Sequence, residues 1–203
     1  ATHSGSHGAA VSALKNSIEV ISIIERFHAR LRDRSAAFPL FDAFQNPMPL
    51  TFGRLHAGNW PASTPDEATL EGVVGFLPNV TRGEVMSGID EAVRRDGSKD
   101  LTSHYALEFM YRHDGYVVDP SHESVRRVEA ASIAAGIQPR VAAFPASCDA
   151  WFYNNLLGIP TIVYGPGHLA VAHAADERLE VRDLRASARV LACLIAGASP
   201  HPL

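Results

Sequence analysis

LTFGRLHAGNWPASTPDEATLEGVVGF, residues 50–76, reads as two strands around a turn-rich centre. Leu50–His56 is the first strand, and AGNWPASTPDE is dense in the residues that favour turns. In ATLEGVVGF, Leu70, Gly72, Val74 and Phe76 alternate with Thr69, Glu71 and Val73, the period of a strand with one buried face. Upstream, Val11, Leu14, Ile18, Ile21 and Ile24 recur at helical spacing, widened by Val20 and Phe27, so the pattern predicts a helix over residues 9–32. Ser35–Pro49 reads as an irregular connection. Downstream, Thr81-Arg82-Gly83-Glu84 has the form of a capping box ahead of Val85, Ile89 and Val93, so a second helix begins there and ends near Gly97–Asp100. LTSHYALEFMY, residues 101–111, alternates Tyr105, Leu107, Phe109 and Tyr111 and predicts a third strand.

The order is helix, strand, strand, helix, strand. One strand added at the front would give βαββαβ, the split ferredoxin-like layout. Helices on one face need a sheet wide enough to bury them, so this order predicts a domain whose first strand lies ahead of residue 1.

From His113 the character changes. YRHDGYVVDPSHES is a polar hinge, followed by a helix carrying Val125, Val128, Ala131 and Ala135. RVAAF reads as a short apolar strand, Cys148-Asp149 as the cap of a helix from Trp151 to Leu157, and IPTIVYGPG as a buried strand entering a loop. A last helix starts at Asp183, with Leu184, Ala188, Leu191 and Ile195 on one face, and stops at Gly197. This αβαβα order is typical of the end of a doubly wound α/β domain.

Composition narrows the function classes. The 203 residues are 46% hydrophobic and 20% charged, ordinary for a globular chain. A net charge of −4 without basic blocks gives no footprint for nucleic acid or an anionic membrane. No apolar run is long enough to span a bilayer and nothing resembles a signal peptide. Two cysteines, Cys148 and Cys193, are too few for a disulfide framework, so a reducing, cytoplasmic setting is expected. Ten histidines direct attention to metal or acid–base chemistry.

GIPTIVYGPGHLAVAHAADERLEV, residues 158–181, is the most informative stretch for chemistry. A loop after a parallel strand is where such folds hold ligands, and His173 sits in it with Asp176 and Glu177 nearby. A neutral imidazole suits zinc or another transition metal, although a lone loop histidine is more often a surface or hydrogen-bonded residue. A metal centre needs three or four protein ligands. His168, Asp149, Asp176 and Glu177 could be enlisted, but none has a diagnostic spacing, and H-x-D, H-E-x-x-H and paired C-x-x-C are absent. Cys148 lacks an assigned base, and Gly165-Pro166-Gly167 lacks the spacing and lysine of a phosphate loop.

Three stretches in order, THSGSHGAAVSALKNSIEVI, GRLHAGNWPASTPDEATLEGVVGFLP and FPASCDAWFYNNLLGIPTIVYGPGHLAVAHAADERLEV, resemble the metallopeptidase family of acetylornithine deacetylase, succinyl-diaminopimelate desuccinylase, aminoacylase and carboxypeptidase G. The resemblance implies a dimerisation lid over residues 1–114, lacking its first strand, and the last part of a zinc-exopeptidase-like catalytic domain over 115–203. It implies two zinc ions, with cobalt or manganese as alternatives, and amide hydrolysis of an N-acyl amino acid or related small molecule by a homodimer. His173 would be the C-terminal metal ligand, and Gly165, Pro166 and Gly167 the backbone loop beside the substrate. His3 would reach the partner subunit's site and donate to the oxyanion of the tetrahedral intermediate. The other family ligands would lie upstream, so these residues alone are expected to be inactive. Many members carry Asn where this chain has Ala62, and some carry a carboxylate-clamping Arg where it has Gly75. Arg54 or Arg112 could replace that Arg, Asp149 falls beside the implied site, and His7 has no assigned role. Two alternatives stand beside this reading: a non-catalytic dimerisation or binding module, and an α/β protein in which His173 is incidental.

Overall fold

The computed structural model describes residues 2–3, 10–41, 44–110 and 113–197, the first pair by backbone alone. The chain divides into two compact units, Ala1–Gly115 and Tyr116–Leu203.

In the first unit, a short strand β1 (Thr2–His3) pairs antiparallel with β3 (Ser63–Thr64). Helix α1 runs from Ala13 to Ser35. It starts four residues later than residue 9 because Ser12 is its cap, accepting from the Lys15 N–H at 3.4 Å. The two strands expected within residues 50–76 are present. β2 (Leu50–Ala57) and β4 (Ala68–Val74) pair antiparallel, from Leu50 opposite Val74 to Ala57 opposite Ala68, with an irregularity around Gly53.

Helix α2 (Arg82–Asp96) has its capping box closed in both directions. The Thr81 hydroxyl accepts from the Glu84 N–H at 3.2 Å, and the Glu84 carboxylate accepts from the Thr81 N–H at 2.8 Å. That backbone N–H and the Arg34 guanidinium at 2.8 Å hold the Glu84 carboxyl down to about 2. Residues of α1 and α2 share two apolar clusters: Ile24, Leu31, Val85 and Ile89 with Met48, Leu77 and Val80, and Ile23 with Ala92, Val93 and Leu101.

The third expected strand does not form a ladder. Its first residues are drawn into a helical turn, α3 (Lys99–Thr102), because the Ser98 hydroxyl caps the Leu101 N–H at 3.2 Å. The Glu19 carboxylate on α1 fixes that cap by accepting from the Ser98 N–H and hydroxyl, at 2.6 and 2.8 Å. Residues 105–109 are neither helix, turn nor strand; Tyr111 and Arg112 lie outside the described residues.

In the second unit, α4 (Glu123–Ala134) packs against α5 (Val181–Ile195). α5 begins two residues before Asp183, which lies in its first turn, where a negative charge complements the helix dipole. It ends as expected, with Gly197 at φ 66°. Between them, RVAAF and IPTIVYGPG join no ladder, since no strand in this unit lies beside either among the described residues. Consequently Ile159, Val163 and Tyr164, expected to be buried, are 51%, 46% and 40% exposed. Cys148 and Asp149 lead into a turn through their carbonyls, which accept from the Trp151 and Phe152 N–H groups. The following Phe152–Leu156 is a π-helical turn with no side-chain cap. The architecture is thus mixed α/β, with helices and, among the described residues, two small antiparallel sheets. No described helix is long and apolar enough to cross a membrane.

Candidate active-site loop

The chemistry-bearing residues of the second unit lie in a loop that is held by its own hydrogen bonds. After Gly165 and Pro166, Gly167 adopts φ 103°, which only glycine takes without strain, and a Cβ there would touch the Leu179 side chain at 3.5 Å. A single 3-10 turn, Leu169–Val171, follows. Its Val171 N–H donates to the His168 carbonyl at 3.2 Å, and the Ala174 N–H donates back to the Val171 carbonyl at 3.3 Å.

His173 sits at φ 62°, in the left-handed region that non-glycine residues visit sparingly. Its backbone N–H donates to the Glu177 carboxylate at 2.9 Å, which fixes the turn and leaves the imidazole exposed. Such local strain, held by a dedicated hydrogen bond, is a recurrent feature of working loops. Asp176 is engaged by the Arg178 guanidinium at 2.7 Å. Two of the three carboxylates that the sequence offered as extra metal ligands, Glu177 and Asp176, therefore already serve the loop, one as its fastener and one as an ion-pair partner. The spacing His173-x-x-x-Glu177 was visible in the sequence. That Glu177 serves a backbone amide follows only from the positive φ.

Among the described residues, no three His, Cys, Asp or Glu side chains come together in a way that could hold a metal ion. His168 caps the 3-10 turn by position and makes no side-chain cap bond. Asp149 lies in the turn before Trp151. Burial first, and the electrostatic influence of Cys148 second, push the Tyr116 phenol above its usual range.

In the first unit, the His3 backbone forms the β1 ladder opposite Ser63, and its side chain, like His7, lies outside the described residues. Gly75 proves to be a packing requirement. Its N–H donates to the Pro49 carbonyl at 2.7 Å, its carbonyl accepts from the His28 Nε2 at 3.2 Å, and a Cβ would lie 2.5 Å from the Pro49 Cδ. An arginine clamp cannot be placed there without moving the strand ends. Arg54 is paired with Glu71 at 2.9 Å across the β2–β4 ladder, and Arg112 is not among the described residues.

Comparison with known proteins agrees with the resemblance read from the sequence. The chain matches Peptidase family M20/M25/M40 over residues 7–197, a span that contains Gly165–Gly167 and His173 and begins after His3. The chain belongs to this family of hydrolases. It is 27% identical over 144 residues to the N-formyl-4-amino-5-aminomethyl-2-methylpyrimidine deformylase of Bacillus subtilis, covering 64% of this chain and 33% of that protein. A second relative, an uncharacterized metallohydrolase of Methanocaldococcus jannaschii, is 39% identical over 44 residues, covering 22% of this chain and 13% of the relative. The chain thus spans a third or less of the length of these curated relatives.

Proposed function

We propose that residues 1–203 are part of a metal-dependent hydrolase that cleaves the amide bond of a small N-acylated, amino-acid-like molecule. The observation that carries this reading is the His173 loop, strained and fastened by Glu177 so that its imidazole stands exposed, inside a match to a peptidase family over residues 7–197. Among the matched relatives one is named as a deformylase and one as a metallohydrolase, in keeping with amide hydrolysis assisted by a divalent metal. Two zinc ions are the proposed cofactor; a pair of such ions supplies Lewis-acid polarisation and an activated water. The described residues contribute one candidate ligand, His173, and do not form a metal centre by themselves, so residues 1–203 alone are proposed to be inactive.

The roles proposed for this chain's own residues are positional. The 165–167 turn, with Gly167 at its positive φ, presents backbone groups to the substrate. His3, following the resemblance, donates to the developing oxyanion in a partner subunit. The first unit is proposed as a ferredoxin-like lid through which two copies pair, and the protein is proposed to act in the cytoplasm without nucleic acid or membrane.

The test is metal stoichiometry in the whole polypeptide encoded by the reading frame that contains these residues. His173→Ala should lower bound zinc, as measured by plasma mass spectrometry after dialysis. Zinc content equal to wild type would remove His173 from the ligand set.

A further inference from the structure

The last turn of α1 and the connection that follows it enclose a cavity of about 190 Å³ in the first unit. Its wall includes Arg32 and Ser35 on α1, and Phe38, Phe41, Phe44 and Met48 in the connection. Two turns build the aromatic side. The Phe38 N–H donates to the Ser35 carbonyl and the Phe44 N–H to the Phe41 carbonyl, both at 3.0 Å. The three half-buried rings follow one another tilted, with centroids 5.9 Å apart from Phe38 to Phe41 and 6.2 Å from Phe41 to Phe44. Leu40, between the two turns, has φ 70°, and with His173 it is one of two non-glycine residues at positive φ among the described residues. Such strain persists only where packing holds it, and it collects at ligand clamps.

The polar side of the cavity is uncommitted. Ser17, Ser22, Ser87 and Ser132 each donate the hydroxyl to the carbonyl four residues back in their helices. Ser35 is 3% exposed, yet its hydroxyl makes no hydrogen bond. Buried hydroxyls normally have a partner, so an orphan on a cavity wall points to a ligand atom. Arg34 is committed to Glu84, whereas Arg32 makes no ion pair among the described residues. Arg32 and Ser35 stand three residues apart on α1, which puts them on one side of the helix. Arg32 and Arg34 also counter the negative end of the α1 dipole, so an anion is not repelled there.

We propose that this cavity binds a small aromatic monocarboxylate, its ring against Phe38, Phe41 and Phe44 and its carboxylate between Arg32 and Ser35. A carboxylate matches the planar fork of a guanidinium and accepts from a hydroxyl as well. An aromatic ring meets tilted phenyl groups edge to face, and Met48 adds a thioether contact. Pockets for drug-sized ligands hold about 300–1,000 Å³, so this volume admits one ring and not two. Water or an inorganic anion would serve Ser35 but would gain nothing from the three rings. The cavity shares no residue with the loop that carries His173.

The test labels the methionine methyl groups for NMR in the whole encoded polypeptide and titrates phenylacetate, with phenylacetamide as its uncharged counterpart. Met48 is assigned by the signal lost in Met48→Leu. The proposal expects the Met48 methyl to shift saturably with a Kd of about 1 mM, as suits a ligand of about ten heavy atoms. Met86 and Met110, which do not line the cavity, should stay in place. Arg32→Gln, Ser35→Ala and the change to phenylacetamide should each weaken binding by about 10-fold. His173→Ala should leave it unchanged. Neither Arg32 nor Ser35 has a side-chain partner to lose, so both variants should melt with wild type when no ligand is present. Wild-type affinity in Arg32→Gln, equal binding of phenylacetamide, or a Met48 methyl that never moves would overturn the proposal. A response lost in His173→Ala would place the carboxylate at the metal and overturn it. Binding that appears only in Asp42→Asn would give Arg32 to that carboxylate and overturn it. A Met48 shift that follows protein concentration without ligand would assign the cavity to a second copy and overturn it as well.

Discussion

Gly75→Ala should destabilise the first unit by an amount set by two contacts. The new Cβ would lie 2.5 Å from the Pro49 Cδ, 2.8 Å from its nitrogen and 3.0 Å from its carbonyl oxygen. These are backbone and ring atoms that cannot swing aside, so the end of the β2–β4 ladder must open. Overpacking of this kind costs about 1–3 kcal/mol. Opening also draws the Gly75 carbonyl away from the Nε2 of His28, which is 4% exposed. A buried donor left without an acceptor costs about 1–3 kcal/mol. Both losses come from one backbone shift and do not add in full, which gives about 2–4 kcal/mol. For a chain of this length that is a fall in Tm of about 5–15 °C. The assay is urea unfolding followed by circular dichroism, repeated in His28→Leu and in the double variant. The reasoning requires the two substitutions to be less than additive. A Gly75→Ala chain within about 0.5 kcal/mol of wild type, the range of ordinary surface changes, would refute it.

Two further predictions concern the same unit. His28 has its pKa lowered, first by burial and then by the Arg32 charge, with the Gly75 carbonyl opposing. The unfolded chain therefore takes up this proton more readily than the folded one, so stability from this site is full above about 6.5 and falls as pH drops through the lowered folded value. Urea midpoints from pH 8 to 5 should decline more steeply in wild type than in His28→Leu; parallel curves would count against the assignment. Thr81→Ala removes the hydroxyl that caps α2 and should cost about 1 kcal/mol, read as a shift in the urea midpoint. Thr81→Ser should restore most of it, and a Ser variant no better than Ala would show that the cap is not the cause.

What the sequence revealed was what local chemistry decides. The hairpin strands within residues 50–76, the Thr81–Glu84 box and the Gly197 stop all rest on interactions between residues close in sequence, and all are present. The failures share a cause. Residues 101–111, RVAAF and IPTIVYGPG have strand-like composition, yet a strand needs a neighbour, and none lies beside them among the described residues. The start of the first of these is also drawn into α3, whose cap Ser98 is held by Glu19 far away in sequence. In the candidate site, the Gly-Pro-Gly turn and His173 were legible as residue types in a loop. The positive φ of His173 and the use of Glu177 to hold it were not, because nothing in composition marks a left-handed histidine. Gly75 looked like a lost specificity residue, and the structure shows a glycine fixed by contact with Pro49.

The central claim is amide hydrolysis that depends on His173. Its most direct measurement is release of free amine from a panel of N-formyl and N-acetyl amino acids and N-formyl aminomethylpyrimidines. The whole encoded polypeptide is assayed with zinc, beside its His173→Ala variant and residues 1–203 alone. Amine release by the wild-type polypeptide, lost in His173→Ala and absent from residues 1–203, is the predicted result. Turnover that survives His173→Ala, or turnover by residues 1–203 alone, would contradict it.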